Sequence, residues 1–284
     1  MKEKYQLKEK IFDSGVAERI ATRYEFHPDL AEYLCARGLN EETAEEYFSE
    51  EPKLYSVSLM PNLTEAAKRI SEIIKENKKL LIYGDYDADG LSAAAALKLF
   101  FRDNGFECDV FIPTRLQGYG MHRDVLAKLF EKKHYDMIVT VDCGISNFDE
   151  IEFCTQCLKT EVIVTDHHEL PPKLPNCLCV NPKMGYPFRY LSGSGVALKL
   201  IQALSDEETA CRYACVASIG TVGDVMPLME ENRTIVRLGL KYFRHRGLEK
   251  IFGGIPSTAK DLALKICPKI NAAGRIGDPL PALK

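Results

Sequence analysis

The chain reads as an α/β protein, a mostly parallel sheet flanked by helices and followed by a helical region. Three observations carry that reading. Apolar runs too short for a helix alternate with segments of helical periodicity, which is the pattern of βα units. Three such runs end alike: Leu80 to Tyr83 leads into Asp85, Asp87 and Asp89, Met137 to Val141 into Asp142-Cys143-Gly144, and Val162 to Thr165 into Asp166-His167-His168-Glu169. Acids and histidines at strand carboxyl ends lie where open α/β sheets place their ligands.

Bulk properties exclude several classes. At 284 residues and 46% hydrophobic, the chain can build one large α/β unit or two modest domains. No apolar run reaches the roughly 18 residues of a membrane span, and Met1-Lys2-Glu3-Lys4 lacks a signal peptide's apolar segment. A cytoplasmic location is therefore expected. A net charge of −4 argues against a chain that coats nucleic acid through bulk positive charge. The ten cysteines are scattered, with C-x-x-C only at Cys154/Cys157 and C-x-C at Cys177/Cys179, so they are read as reduced and mostly buried.

In order along the chain, residues 1–55 are expected to form a helical lead-in packed on the main domain, with Asn40 capping one helix. Residues 56–284 are expected to form the main domain. A helix from Glu65 to Glu76 is expected to bury Ala66, Ile70, Ile73 and Ile74, and the first strand and its aspartates follow. A second helix is expected from Leu91 to Arg102, then a strand from Cys108 to Ile112. Thr114 to Gly120 is a glycine-flanked loop carrying Arg115 and Tyr119, where an arginine could hold a phosphate and a tyrosine stack on a base; a plain βα loop is the competing view. His122 and Arg123 open another helix, and a helix from Asn147 to Leu158 separates the Asp142 and Asp166 strands. A short strand from Cys177 to Val180 comes next. Leu191 to Gly195 feeds a helix from Val196 to Leu204, where Ser194 and Gly195 could offer backbone N–H groups to an anion; an ordinary cap serves equally. A helix from Glu207 to Ser218 precedes Ile219 to Leu228, and further helices lead to Lys269 to Arg275. The chain then stops without a tail composition, so a truncated protein is expected.

Clustered carboxylates repel one another, and a hard divalent cation with oxygen ligands removes that cost. An acidic surface turn would explain one such cluster, but three at separate strand ends point to a site.

The blocks GDYDADG (84–90), VDCG (141–144), TDHHE (165–169) and GTVGD (220–224) resemble the DHH phosphoesterase superfamily. Within it, SGSGVALKL (192–200) and NAAGRIGDP (271–279) resemble the RecJ-type single-strand-specific 5′→3′ exonucleases, over nearly the whole chain. The resemblance implies one or two Mn2+ or Mg2+ ions held by Asp87, Asp89, Asp142, His167 and Asp224, with Asp142 bridging. It implies His168 facing the scissile phosphate, Asp166 orienting the histidine pair, and Asp85 in or beside the first metal's shell. Arg115, Arg275 and Asn271 would lie on the substrate side. The implied activity is metal-dependent 5′→3′ hydrolysis of single-stranded DNA in repair and recombination, with single-strand-binding proteins or helicases as candidate partners. The alternatives are a phosphodiesterase for short oligonucleotides or cyclic dinucleotides, a pyrophosphatase, and a non-enzymatic replication scaffold. Two departures stand out. Tyr83 occupies a position where superfamily members commonly place a histidine ligand, and the DHH-associated and oligonucleotide-binding domains that follow in RecJ-type enzymes are absent from this sequence.

Overall fold

The computed structural model describes residues 11–243, 246–277 and 279–283. The chain divides into two compact units at Pro52/Lys53. In the first, α1 (Ser14–Arg23), α2 (Pro28–Cys35) and α3 (Glu41–Phe48) enclose a small core of Ala17, Ile20, Ala31, Leu39 and Ala44. The Asn40 side-chain Oδ1 caps α3 by accepting from Thr43 N at 2.9 Å, and the Thr43 hydroxyl accepts from Asn40 N in return.

The second unit alternates strand and helix. Its helix α4 (Leu63–Lys75) leads to β1 (Leu80–Tyr83), α5 (Ala88–Asp103), β2 (Asp109–Phe111), α6 (Arg123–Lys132), β3 (Met137–Val141), α7 (Phe148–Gln156), β4 (Glu161–Thr165) and β5 (Leu178–Val180). All pairings are parallel, in the order β2-β1-β3-β4-β5. The order reverses between β1 and β3, so the crevice at their carboxyl ends is where such a sheet binds ligands.

Both faces of the sheet are covered, which is why its strands are almost uniformly apolar. Leu80, Ile82, Val139, Val141 and Ile163 face the larger core, shared with α4, α5, α8 (Gly193–Leu204) and α9 (Glu207–Gly223). Leu81, Tyr83, Ile138, Val162 and Val164 alternate onto the other face, against Leu126 of α6 and Ile151 of α7. The last helices are α10 (Glu230–Lys241), α11 (Arg246–Phe252), α12 (Ala259–Asp261) and, after a π-helical stretch Leu262–Ile266, α13 (Cys267–Ile276). Among the described residues no helix is long and apolar enough to cross a membrane.

Three helices begin or end away from their expected positions, each for a reason that concerns the site. Helix α5 starts at Ala88 rather than Leu91, because the Asp87 carboxylate caps it by accepting from Asp89 N at 2.9 Å and Gly90 N at 3.0 Å. Helix α8 starts at Gly193, capped by the Ser192 hydroxyl accepting from Gly195 N at 3.0 Å. Helix α9 runs to Gly223, taking in Gly220, whose missing side chain matters: a Cβ there would lie 2.3 Å from Asp89 Oδ1.

Candidate metal centre and cleft

The carboxyl ends of β1, β3 and β4 bring their acids and histidines into contact. His167 Nε2 is the hub, lying 3.1 Å from Asp142 Oδ1, 3.7 Å from Asp224 Oδ2 and 3.8 Å from Asp89 Oδ2. Three overlapping groups have ligand atoms within 4.8 Å of one another: Asp85/Asp87/Asp142, Asp89/His167/Asp224 and Asp142/His167/His168. Asp142 belongs to two of them, which is the placement a bridging carboxylate needs. It sits just past β3 with φ of 60°, a left-handed backbone that aspartate tolerates better than most residues. Asp224, the C-cap of α9, completes the group with Asp89 and His167.

Several buried polar atoms here make no hydrogen bond within the protein. Asp85 Oδ1, Asp142 Oδ1 and His167 Nδ1 accept or donate no hydrogen bond, although buried groups of this kind are ordinarily paired. Burial, followed by repulsion from Asp87, pushes Asp85 up to about 7. Burial and the neighbouring Asp89 raise Asp224 to about 6, and burial raises Asp87 and Asp142 above the ordinary carboxylate range. Carboxylate oxygens and one imidazole, unpaired and crowded, fit a divalent cation such as Mn2+ or Mg2+.

Asp89 is bound differently from its neighbours. Its Oδ2 accepts from Gly193 N at 2.6 Å and its Oδ1 from Ser194 N at 2.9 Å. The helix N-terminus read as an offer to a substrate anion thus receives an anion from within the chain. Ser194 and Gly195 are buried, and Ser194 Oγ donates to Ala217 O at 2.9 Å, so neither reaches a substrate. The glycine at Gly193 lets the start of α8 lie against Asp142, since a Cβ there would lie 2.5 Å from Asp142 Cβ.

Asp166 is fully buried and organises the histidine pair. Its Oδ1 accepts from His167 N at 2.7 Å and His168 N at 3.1 Å and lies 2.8 Å from His168 Nδ1, while Oδ2 accepts from Ile145 N at 3.0 Å. Burial disfavours charge on both partners, but the hydrogen bond between them prevails: Asp166 titrates below its ordinary value and His168 above. Asn181, whose position at a strand end carried no stated role in the sequence, donates to His168 O at 3.0 Å and is wholly buried. An Asn-Pro step directly after β5 was the signal available.

In front of these groups lies a cleft of about 420 Å³, lined by Asp85, Asp87, His168, Tyr119, Arg115 and Arg275 among others. Both arginines are exposed. Arg115 lies over the ring of Tyr86 at 5.6 Å, a platform the sequence reading passed over. Asn271 is on the cleft wall, but its Oδ1 is engaged by Ala88 N at 2.8 Å, tying α13 to the start of α5. Tyr119 lines the cleft too, with its hydroxyl 3.0 Å from His168 Nδ1. Tyr83, at the position of the superfamily's histidine, is buried and donates instead to Gly120 O at 3.2 Å. A larger cleft of about 530 Å³, between Leu99 and Tyr213, gathers no comparable set of unpaired acids. Charge, rather than size, marks the site.

A parallel sheet with acids and a histidine pair at its switch point is the arrangement that the resemblance to the DHH superfamily implies. The model of the DHH family, N-terminal domain, matches residues 79–221, half of the sequence, and the chain belongs to that family. It is 32% identical over 286 residues to the single-stranded-DNA-specific exonuclease RecJ of Bacillus subtilis, an alignment covering 95% of this chain and 36% of that protein. Two crystal structures of RecJ from Thermus thermophilus are similar to it. The Mn2+ complex gives a TM-score of 0.81 at 30% identity, covering 97% of this chain and 41% of the other. The Mg2+ complex gives 0.71 at 28% identity, covering 97% and 38%. The chain therefore spans well under half the length of these relatives.

Proposed function

We propose that this chain is the catalytic part of a metal-dependent 5′→3′ exonuclease for single-stranded DNA. The observation that carries the proposal is the set of unpaired buried donors at the β1/β3 crevice, facing a cleft with two exposed arginines. The RecJ relatives, solved with Mn2+ and Mg2+, support the choice of metal and of substrate. Asp87, Asp142 and the neighbouring Asp85 would hold one cation, and Asp89, Asp142, His167 and Asp224 a second. A cation there would supply charge neutralisation for the phosphoryl oxygens and a lowered pKa for the attacking water.

The chain's own residues do the rest. Asp166 accepts a hydrogen bond from Nδ1–H of His168 and favours its imidazolium form, which leaves Nε2–H as the group that can donate to a phosphoryl or leaving oxygen. Arg115 and Arg275 offer forked donors to a phosphate across the cleft, a geometry suited to a terminal 5′ phosphate. The same reading calls for a cytoplasmic setting and for single-strand-binding proteins or helicases as partners.

The test is release of mononucleotides from a 5′-labelled single strand, with manganese and with chelator, beside a dinucleotide, pyrophosphate and a blunt duplex. Manganese-dependent release from the single strand alone is expected, and its absence from this chain and from a longer form would sink the reading. Arg275→Ala should raise KM about tenfold for 5′-phosphorylated strands, the scale of one charged hydrogen bond, and less for 5′-hydroxyl strands. Equal effects on both would remove the anchor role.

A further inference from the structure

The sequence suggests Tyr119 as a platform for a base, but its hydroxyl is already engaged. It lies 3.0 Å from His168 Nδ1 and 3.4 Å from the backbone oxygen of Asp142. The two rings meet at a tilt of 57° with centroids 5.1 Å apart. Asp166 Oδ1 also contacts His168 Nδ1, at 2.8 Å, and an ionised carboxylate can only accept. Nδ1 therefore carries the proton, the Tyr119 oxygen accepts a share of it, and the Tyr119 proton goes to Asp142 O. This arrangement is a relay of orientation: it ties the His168 ring to the main chain of Asp142, the residue shared by two of the carboxylate groups.

The loop that carries Tyr119 is held so that this contact persists. Gly118 and Gly120 flank it with φ of 92° and 86°, a backbone region open to glycine and costly for other residues. From one side the buried Tyr83 hydroxyl donates to Gly120 O at 3.2 Å. From the other, Asn147 clamps Met121, accepting from its N–H at 3.2 Å and donating to its carbonyl at 3.3 Å. A Cβ on Gly120 would lie 2.8 Å from Asn147 Oδ1, so this clamp needs the glycine.

We propose that Tyr119 is a positioning residue for His168, acting through its hydroxyl, and that Tyr83 and Asn147 hold its loop for that purpose. The inference rests on His168 as the group facing the scissile phosphate. Tyr119→Phe keeps the ring and removes only the hydroxyl; Tyr119→Ala removes both. For hydrolysis of 5′-phosphorylated single strands with manganese, Tyr119→Phe should lower kcat about tenfold, the worth of one hydrogen bond to a charged group, with KM within twofold of wild type. Tyr119→Ala should lower kcat at least as far.

A second readout needs no activity. In the metal-free protein, nitrogen-15 spectra of the imidazoles should show His168 protonated at Nδ1, with a slowly exchanging proton that Tyr119→Phe makes exchange faster. A base platform predicts otherwise: Tyr119→Phe would match wild type in kcat, Tyr119→Ala would raise KM, and the imidazole spectrum would not change. That result overturns the proposal, as does an unchanged spectrum alone. If wild type fails to hydrolyse the strand, the functional reading falls, and the spectra still decide the role of Tyr119.

Discussion

The second unit buries charge in two places and treats it in opposite ways. Lys199 and Glu231, on α8 and α10, are both fully buried, with Nζ 2.9 Å from Oε1. Every donor and acceptor in that pair is used. Lys199 Nζ also donates to Gln202 Oε1 at 2.6 Å and to Tyr55 O, and Glu231 accepts from Tyr55 N at 2.8 Å and the Tyr186 hydroxyl at 2.6 Å. At the β1/β3 crevice, Asp85 Oδ1, Asp142 Oδ1 and His167 Nδ1 are buried and make no hydrogen bond. A buried charge that is fully paired closes the fold on itself. Buried carboxylates left unpaired are a standing cost that a cation removes. The contrast separates structural from functional charge without reference to any relative.

The largest test is Asp142→Asn, preferred to alanine because asparagine keeps the shape and tolerates φ of 60°. Removing a carboxylate that belongs to two ligand groups should cut hydrolysis by ~10⁴-fold, the rate equivalent of several kcal/mol. Manganese stabilises the native state by mass action, and the mutant should lose most of that rise in Tm. In chelator it should melt no lower than wild type, since one repelling charge has gone. A mutant that melts lower in chelator yet keeps the manganese shift would make Asp142 structural and erase the comparison.

Glu231→Ala should do the reverse. Leaving Lys199 buried without its counter-charge should cost about 3–5 kcal/mol in denaturant titrations, with or without chelator. The manganese shift should survive wherever the protein remains folded. Replacing both partners, Lys199→Met with Glu231→Leu, should recover most of the loss. A double variant as unstable as the single one would show that the surrounding hydrogen bonds, not the ion pair, hold these helices.

A smaller effect lies in pH. Asp85 titrates at about 7 and Asp224 at about 6 in the folded chain, against about 3.9 for an unfolded aspartate. Between about pH 4 and 7 the folded state keeps protons that the unfolded chain has released. Metal-free stability from these groups is therefore full below that window and falls as pH rises through it. Asp166, held below its ordinary value beside His168, works the other way and loses its contribution only under more acid conditions. Manganese competes with the retained protons, so its Tm shift should grow from pH 5 to 8. Melts in chelator that strengthen steadily over that range would contradict the crowded-carboxylate picture.

What was legible in the sequence follows the same division. β1, β3 and β4 could be read because a buried parallel strand is uniformly apolar and its acids stand immediately after it. Asp142, His167 and Asp224 could be assigned because ligand chemistry leaves residue types that packing does not require. The second role of Asp89 could not be read, because nothing in the sequence shows that a candidate ligand also caps α8 from 104 residues away. Ser194 and Gly195 were drawn to the substrate for the same reason. Lys199 and Glu231 gave no signal at all, since a lysine and a glutamate on two helices are ordinary surface residues until both prove buried.

The smallest effect asks whether the crevice also stores backbone strain. Val225 follows Asp224 with φ of 56° and is 87% exposed, an unfavourable conformation for a β-branched residue with little packing to recover the cost. It ends α9 in a Schellman turn: Met226 N donates to Thr221 O and Val225 N to Val222 O, each at 3.2 Å. Glycine is the residue this position favours. Val225→Gly should therefore stabilise the protein by about 0.5–1 kcal/mol, the left-handed penalty relieved less the entropy glycine adds to the unfolded chain. Asp224 would keep its place, because the turn's hydrogen bonds are all main-chain. Manganese shift and hydrolysis should then be unchanged, leaving charge as the crevice's own cost. If Val225→Gly instead weakens the manganese shift, the valine's strained backbone is part of how Asp224 is presented, and the crevice stores strain as well as charge.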